Sequence, residues 1–179
     1  MSGTLSLVLG QARLSLADSA TFRALCGVAD RAGALGHCYL RNLPEPADGA
    51  DTYSREELEW LRPYALFFLP DREALTLTPA AVGAHREYNA RGKLTVRISR
   101  AVPEDKTRDE ADTDWDDIVW GIIEEVTERS GDGSDSYLCF ESLSIVGGPG
   151  RHHASYDPAQ GEEQGVDLEI VWGGQEGAG

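Results

Sequence analysis

The residues with the clearest chemical potential lie in the run Asp109–Asp117, DEADTDWDD, where Asp112, Asp114 and Asp116 stand at the first, third and fifth positions of a calcium loop. Such a loop needs a glycine at its sixth position and a bidentate glutamate at its twelfth. Asp117 and Ile123 occupy those places, and the run DGSDS at 132–136 fails in the same way with Leu143. Both runs read as loops flanking a helix. His152 and His153 with Asp157 offer imidazole and carboxylate to a transition metal, but adjacent side chains of a strand point to opposite faces. His37 and His85 are remote in sequence, and there is no HExxH and no CxxC. Gly147–Gly148–Pro149–Gly150 lacks the Lys-Ser/Thr of a phosphate loop and reads as a hairpin turn. No GxSxG is present, and no cysteine has a base beside it in sequence. The expectation is a chain without catalytic residues, cofactor or metal, and not an enzyme.

Charge sets the next bound. The 179 residues carry 16 basic and 31 acidic side chains, a net charge of −15. A polyanion of this kind is repelled at long range by DNA, RNA and anionic membranes, which makes wrapping nucleic acid a poor expectation. It leaves open a pore through which DNA passes, whose acidic wall would keep phosphates from sticking, and equally a charge that serves only solubility. An apolar fraction of 41% and a charged fraction of 26% fit a globular domain over residues 1–179, with a flexible tail over 174–179. No run reaches the ~20 apolar residues that span a bilayer. The opening MSGTLSLVLG has neither a basic leader nor a cleavage site, so no secretory signal is expected. Cys26, Cys38 and Cys139 read as small buried hydrophobes in a reducing compartment.

The elements that would position these residues follow from hydrophobic rhythm. Leu5, Leu7, Leu9, Leu14 and Leu16 alternate with other residues and predict a strand or hairpin. Asp18 is placed to cap a helix with the face Phe22, Leu25, Cys26 and Ala29, and His37–Leu40 reads as a strand. Ser54 and Glu57 spell a capping box for a short helix before Pro63, and Tyr64–Leu69 reads as a buried strand. Residues 71–92 are ambiguous, whereas Lys93–Arg100 alternates clearly. After an acidic loop over Glu104–Asp117, Trp115, Ile118, Val119, Ile122, Ile123 and Val126 recur at helical spacing behind a cap at Thr113 or Asp114. In Tyr137–Val146 the apolar parity changes between Phe140 and Leu143, which predicts a β-bulge near Glu141–Ser142. A long loop over 147–165 leads to Gly165–Gly174, where Val166, Leu168, Ile170 and Trp172 alternate with Asp167, Glu169 and Val171. The whole predicts an α+β fold, a mainly antiparallel sheet with two principal helices packed on it.

Trp120 departs from this packing. At ~100° per residue it lies about 140° from Trp115, off the apolar stripe, where it is covered by a loop or offered to a partner.

The helix Asp114–Glu128, the strand Tyr137–Val146 with its terminal Gly-Gly-Pro-Gly-Arg, the acidic loop and the final Val-Asp-Leu-Glu-Ile-Val-Trp-Gly together resemble the tail terminator (tail completion) proteins of long-tailed bacteriophages. The first half is compatible in layout. The resemblance implies a virion protein of the neck or tail, assembled in the host cytoplasm, that forms a homo-oligomeric ring, commonly sixfold. Its implied partners are further copies of itself, the tail tube protein and a head-completion or connector protein. DNA is met only in passage through the lumen, and no membrane is involved. Candidate interface residues are Trp120, Arg97, Arg151, His152 and Trp172. Other neck or head-completion proteins, an acidic adaptor that binds a basic partner, and a metal-dependent small-ligand protein are the competing readings.

Overall fold

A computed structural model describes residues 4–50, 52–69, 75–80, 87–130, 138–145, 153–157 and 161–177. The described elements run α1 (Thr4–Asp18), α2 (Ala20–Leu25), α3 (Arg31–Gly36), β1 (Cys38–Leu40), a 3-10 turn (Ala47–Gly49), α4 (Arg55–Leu61), β2 (Tyr64–Phe68), β3 (Leu75–Ala80), β4 (Glu87–Ala101), α5 (Arg108–Ser130), β5 (Leu138–Ile145), β6 (His153–Asp157) and β7 (Gly161–Gly177). The fold is α+β as expected, and helices α1, α2 and α3 join α5 in packing against one face of the sheet.

Residues 5–16 form helix α1, not the predicted strand or hairpin. The leucine alternation misleads because Val8, Ala12 and Ala17, which it skips, are buried together with Leu9 and Leu16. Val8, Leu9, Ala12, Leu16 and Ala17, at helical spacing, are at most 4% exposed, while Leu14 stands 40% exposed. The single helix expected after Asp18 is instead two. Ser19 caps α2, its hydroxyl accepting from the Phe22 N–H at 3.0 Å. Gly27, with φ +67°, then ends α2, with Val28 N bonded to Arg23 O and Gly27 N to Ala24 O, the paired bonds of a Schellman motif. Asp30 reopens the chain into α3 by accepting from Gly33 N at 2.8 Å. Only Phe22 of the expected face is fully buried, and Ala29 is exposed.

Strands β4 and β7 form the spine of a seven-stranded sheet ordered β1-β2-β4-β7-β5. They pair antiparallel without interruption from Glu87↔Gly177 to Ala101↔Glu163. Strands β2 and β3 lie end to end along one edge of β4, and β5 and β6 along the far edge of β7. Among the described strands, only β1 and β2 pair in parallel. Strand β3 and the first part of β4 resolve the ambiguous 71–92 segment, and Pro79 is tolerated because β3 is an edge strand. Part of the predicted 147–165 loop is strand β6, and β7 continues to Gly177 through much of the expected tail. The register of β5 on β7 shifts between Phe140 and Ser142, at the predicted bulge.

Alternation then sorts the spine into two faces. Leu94, Val96, Ile98, Val166, Leu168, Ile170 and Trp172 point to the helices and are at most 3% exposed. Ala65 and Phe67 of β2 extend that face. Helix α5 covers it with Ala111, Trp115, Val119, Ile122 and Val126. This helix starts six residues earlier than the expected Asp114, because Thr107 and Glu110 cap it reciprocally: Thr107 N and Oγ1 reach Glu110 Oε2 at 2.9 and 2.7 Å. Most of the predicted acidic loop is therefore helix, and Asp109 and Glu110 in its first turn sit favourably at the positive end of the helix dipole. Helix α2 lies close to α5 at Gly121, where an added Cβ would lie 3.0 Å from the Thr21 hydroxyl.

Candidate functional site

The aspartates that spell a calcium loop are helical, and two of them tie α5 to the sheet. Arg100, on the core face of β4, fans out to three acceptors: Gln164 Oε1 at 3.0 Å, Asp114 Oδ2 at 2.8 Å and the Ala111 carbonyl at 2.9 Å. Its guanidinium lies 4.9 Å from the centre of the Trp115 ring. Gln164, 1% exposed and directly opposite Arg100 in register, passes its amide N–H to Asp112 Oδ1 at 2.7 Å. Lys106 also reaches Asp114, at 3.1 Å. The hydrogen-bonded side chains of Arg100, Gln164, Asp112 and Asp114 close the core at one end of the sheet, an arrangement that positions elements. Among the described residues, no cluster of three or more His, Cys, Asp or Glu could hold a metal ion.

The hydrogen bond from Arg100 holds the Asp114 carboxyl below its ordinary value of 3.8. A depressed carboxylate contributes stability in full above the ordinary value and loses it as the pH falls through the folded one. Acid titration of thermal stability is expected to show a loss below about pH 4, and Asp114→Asn should flatten that limb. An unchanged acid limb in the variant would mean that other carboxylates dominate. Glu125 is one of these: burial pushes its carboxyl up, but hydrogen bonds from Ser19, Thr21 and the Ala20 backbone outweigh this and hold it below the usual range. Two of them come from Thr21, Oγ1 at 2.9 Å and N at 3.2 Å.

The remaining candidates for chemistry are quiet. Burial pushes both Cys26 and Cys38 up to about 12, so the reactive thiolate is scarce near neutrality. Cys38 is buried and Cys26 half-buried, so alkylation mapped by mass spectrometry is expected to modify Cys38 only after unfolding, and its labelling in the native state within minutes would contradict its burial. His37 Nδ1–H donates to the Pro63 carbonyl at 2.8 Å. His85, the 147–150 glycine run, the 132–136 acidic run, Arg151 and His152 lie outside the described residues.

The sheet face away from the helices is a field of cross-strand ion pairs. Arg97 meets Asp167, its direct partner in register, through Nε at 2.8 Å and Nη2 at 2.9 Å. Lys93 reaches Glu169 at 3.5 Å and Arg91 reaches Glu141 at 2.8 Å. At the end nearest α4, Arg62 pairs with Glu163 at 2.6 Å, and Ser99 donates to the same carboxylate.

Of the expected interface residues, Trp172 is 0% exposed and packs inside the chain, while Trp120 is 55% exposed on α5. The alternation of β7 accounts for the first, since Trp172 shares parity with Val166, Leu168 and Ile170. Around Trp120 the outer side of α5 exposes Asp109, Glu110, Asp116, Asp117, Glu124 and Glu128. A second exposed aromatic, Trp60 at 80%, stands on α4. Helical spacing locates it: one residue before Leu61 and two after Leu58, it cannot share their buried face.

No family model matches this chain, and no curated protein matches it. One solved structure similar to it is a chain described as "Virion of native gene transfer agent (GTA) particle". The alignment covers 93% of this chain and 92% of that one at 12% identity, with a TM-score of 0.38. Likeness at that level assigns neither fold family nor function. No described helix is long and apolar enough to cross a membrane.

Proposed function

We propose that this chain is a structural protein of a phage-like virion, working by assembly, and within that class a tail terminator. In this reading it is no enzyme. It forms a ring, sixfold in the family it resembles, at the head-proximal end of the tail tube, stops tube growth there and presents a surface to the head-completion or connector protein.

The supporting observation is Trp120, a large aromatic 55% exposed on a helix whose opposite side is core. Aromatic side chains placed so are the usual anchors of protein interfaces. Two of the three carboxylates with ligand-like spacing, Asp112 and Asp114, are by contrast engaged in hydrogen bonds that hold α5 to the sheet. The net charge of −15 suits a lumen that DNA traverses without adhering.

Electron microscopy of particles assembled without this gene tests the reading. Full heads beside tails of uncontrolled length are the expected result. Normal joined particles would overturn it, and leaking heads beside tails of normal length would reassign the chain to head completion. Binding of the isolated protein to duplex DNA at low salt would remove the passive-lumen role.

A further inference from the structure

Alongside α4 runs an open groove of about 760 Å³, lined by Ala47, Ala50, Tyr53, Glu56, Glu57 and Trp60 among others. Its volume falls in the range of ~300–1,000 Å³ usual for binding clefts. Its wall is built, because the Glu57 carboxylate fastens the preceding loop to the helix. Glu57 accepts from the Ala47 N–H at 2.5 Å and from both the N–H and the hydroxyl of Ser54 at 2.7 Å. Tyr53 donates its hydroxyl to the Pro44 carbonyl. The hydrogen bonds from Ala47 and then Ser54 hold Glu57 below the usual carboxylate range, so it stays ionised.

Two properties define what fits here. Trp60, 80% exposed, is the most exposed large apolar side chain among the described residues, and it presents an indole to whatever enters the groove. The surrounding charge is negative: Glu56 and Glu57 line the groove, Glu56 is exposed, and Glu45 stands exposed on the same loop. Arg55, on the same helix, does not line the groove and pairs with Glu59 at 2.7 Å and Glu104 at 3.6 Å. An indole face beside carboxylates attracts a guanidinium or ammonium group through its ring quadrupole and through charge together. The apolar walls favour neighbouring apolar side chains. A nucleic acid or an acidic segment would meet repulsion instead.

We propose that this groove binds a segment of a partner protein that carries arginine or lysine next to an apolar residue, with the cationic side chain laid on Trp60. The groove would serve such a partner whether or not the chain belongs to a virion.

Selection of a random displayed-peptide library against the immobilised full-length chain tests this. The enriched peptides are expected to share a basic residue beside an apolar one and to bind more weakly as salt rises. Calorimetry with the strongest of them should show a loss on the order of 30-fold on Trp60→Ala, as for a hot-spot anchor, with the melting temperature unchanged. Glu56→Lys, an exposed substitution without packing consequences, should weaken the same peptide. No enrichment, a consensus without basic residues, or affinity indifferent to both substitutions would overturn the proposal.

Discussion

Trp172→Ala is expected to lower the unfolding free energy by about 3–5 kcal/mol, as for large aromatic truncations in cores. Trp172 is 0% exposed on the core face of β7, directly opposite Gly92, so no large neighbour on that strand stands ready to fill the space. For a chain of this length each kcal/mol moves the melting temperature by roughly 2–4 °C, so a fall of about 6–20 °C follows. Differential scanning calorimetry measures it directly. Trp120→Ala supplies the contrast: its 55% exposure predicts a change within about 0.5 kcal/mol. Equal losses for the two variants would mean that Trp120 is covered by its own chain, which would withdraw the main support for an assembly surface on α5.

The second large effect is expected at Arg100. Arg100→Met keeps most of the side-chain volume but leaves Gln164 Oε1 and the Ala111 carbonyl without their donor in a buried setting. Removing one partner of a buried charged pair costs about 3–5 kcal/mol. Asp114 is 37% exposed and keeps Lys106, which argues for the lower end, about 3 kcal/mol. Arg97→Met is the comparison that isolates burial. Its pair with Asp167 is bidentate and its geometry is as good, yet the Arg97 side chain is 44% exposed, and about 0.2–1 kcal/mol is expected. Chemical denaturation of both variants would separate the two, and a smaller loss at Arg100 than at Arg97 would refute the role of the network in holding α5 to the sheet.

These two residues bear differently on function. Neither Trp172 nor Arg100 offers a surface to a partner, so a variant that fails to assemble because of them reports on folding. Trp120 and Trp60 can be altered with the core intact, which makes them the informative positions for any test of binding.

Much of the fold is local and therefore legible in the residue order. The alternation over 166–172 defines β7 and its buried face, the parity change after Phe140 marks the bulge, Ser54 and Glu57 set the start of α4, and the spacing of Trp115, Val119, Ile122 and Val126 defines the inner side of α5. Each depends on residues a few positions apart. The same local rules put Trp120 outside the core. They also rule out a calcium loop at Asp112–Ile123, because the sixth and twelfth positions are wrong.

Tertiary structure decided the rest. Residues 5–16 satisfy two periods at once, and the choice of helix over strand fell to whichever face could be buried against the sheet: Val8, Leu9, Ala12 and Leu16 meet that core. Strand β6 is short, and its pairing with Gly161–Gly165 is what makes it a strand. The order β1-β2-β4-β7-β5 joins segments far apart in sequence, and no local spacing encodes it. Arg100 and Gln164 are 64 positions apart and become neighbours only when β4 and β7 align. The acidic residues of α5 looked like ligands in the linear chain because their eventual partner, an arginine on the sheet, is identified only by that alignment. Periodicity is a property of neighbours along the chain, whereas register is set by the burial of both strands at once.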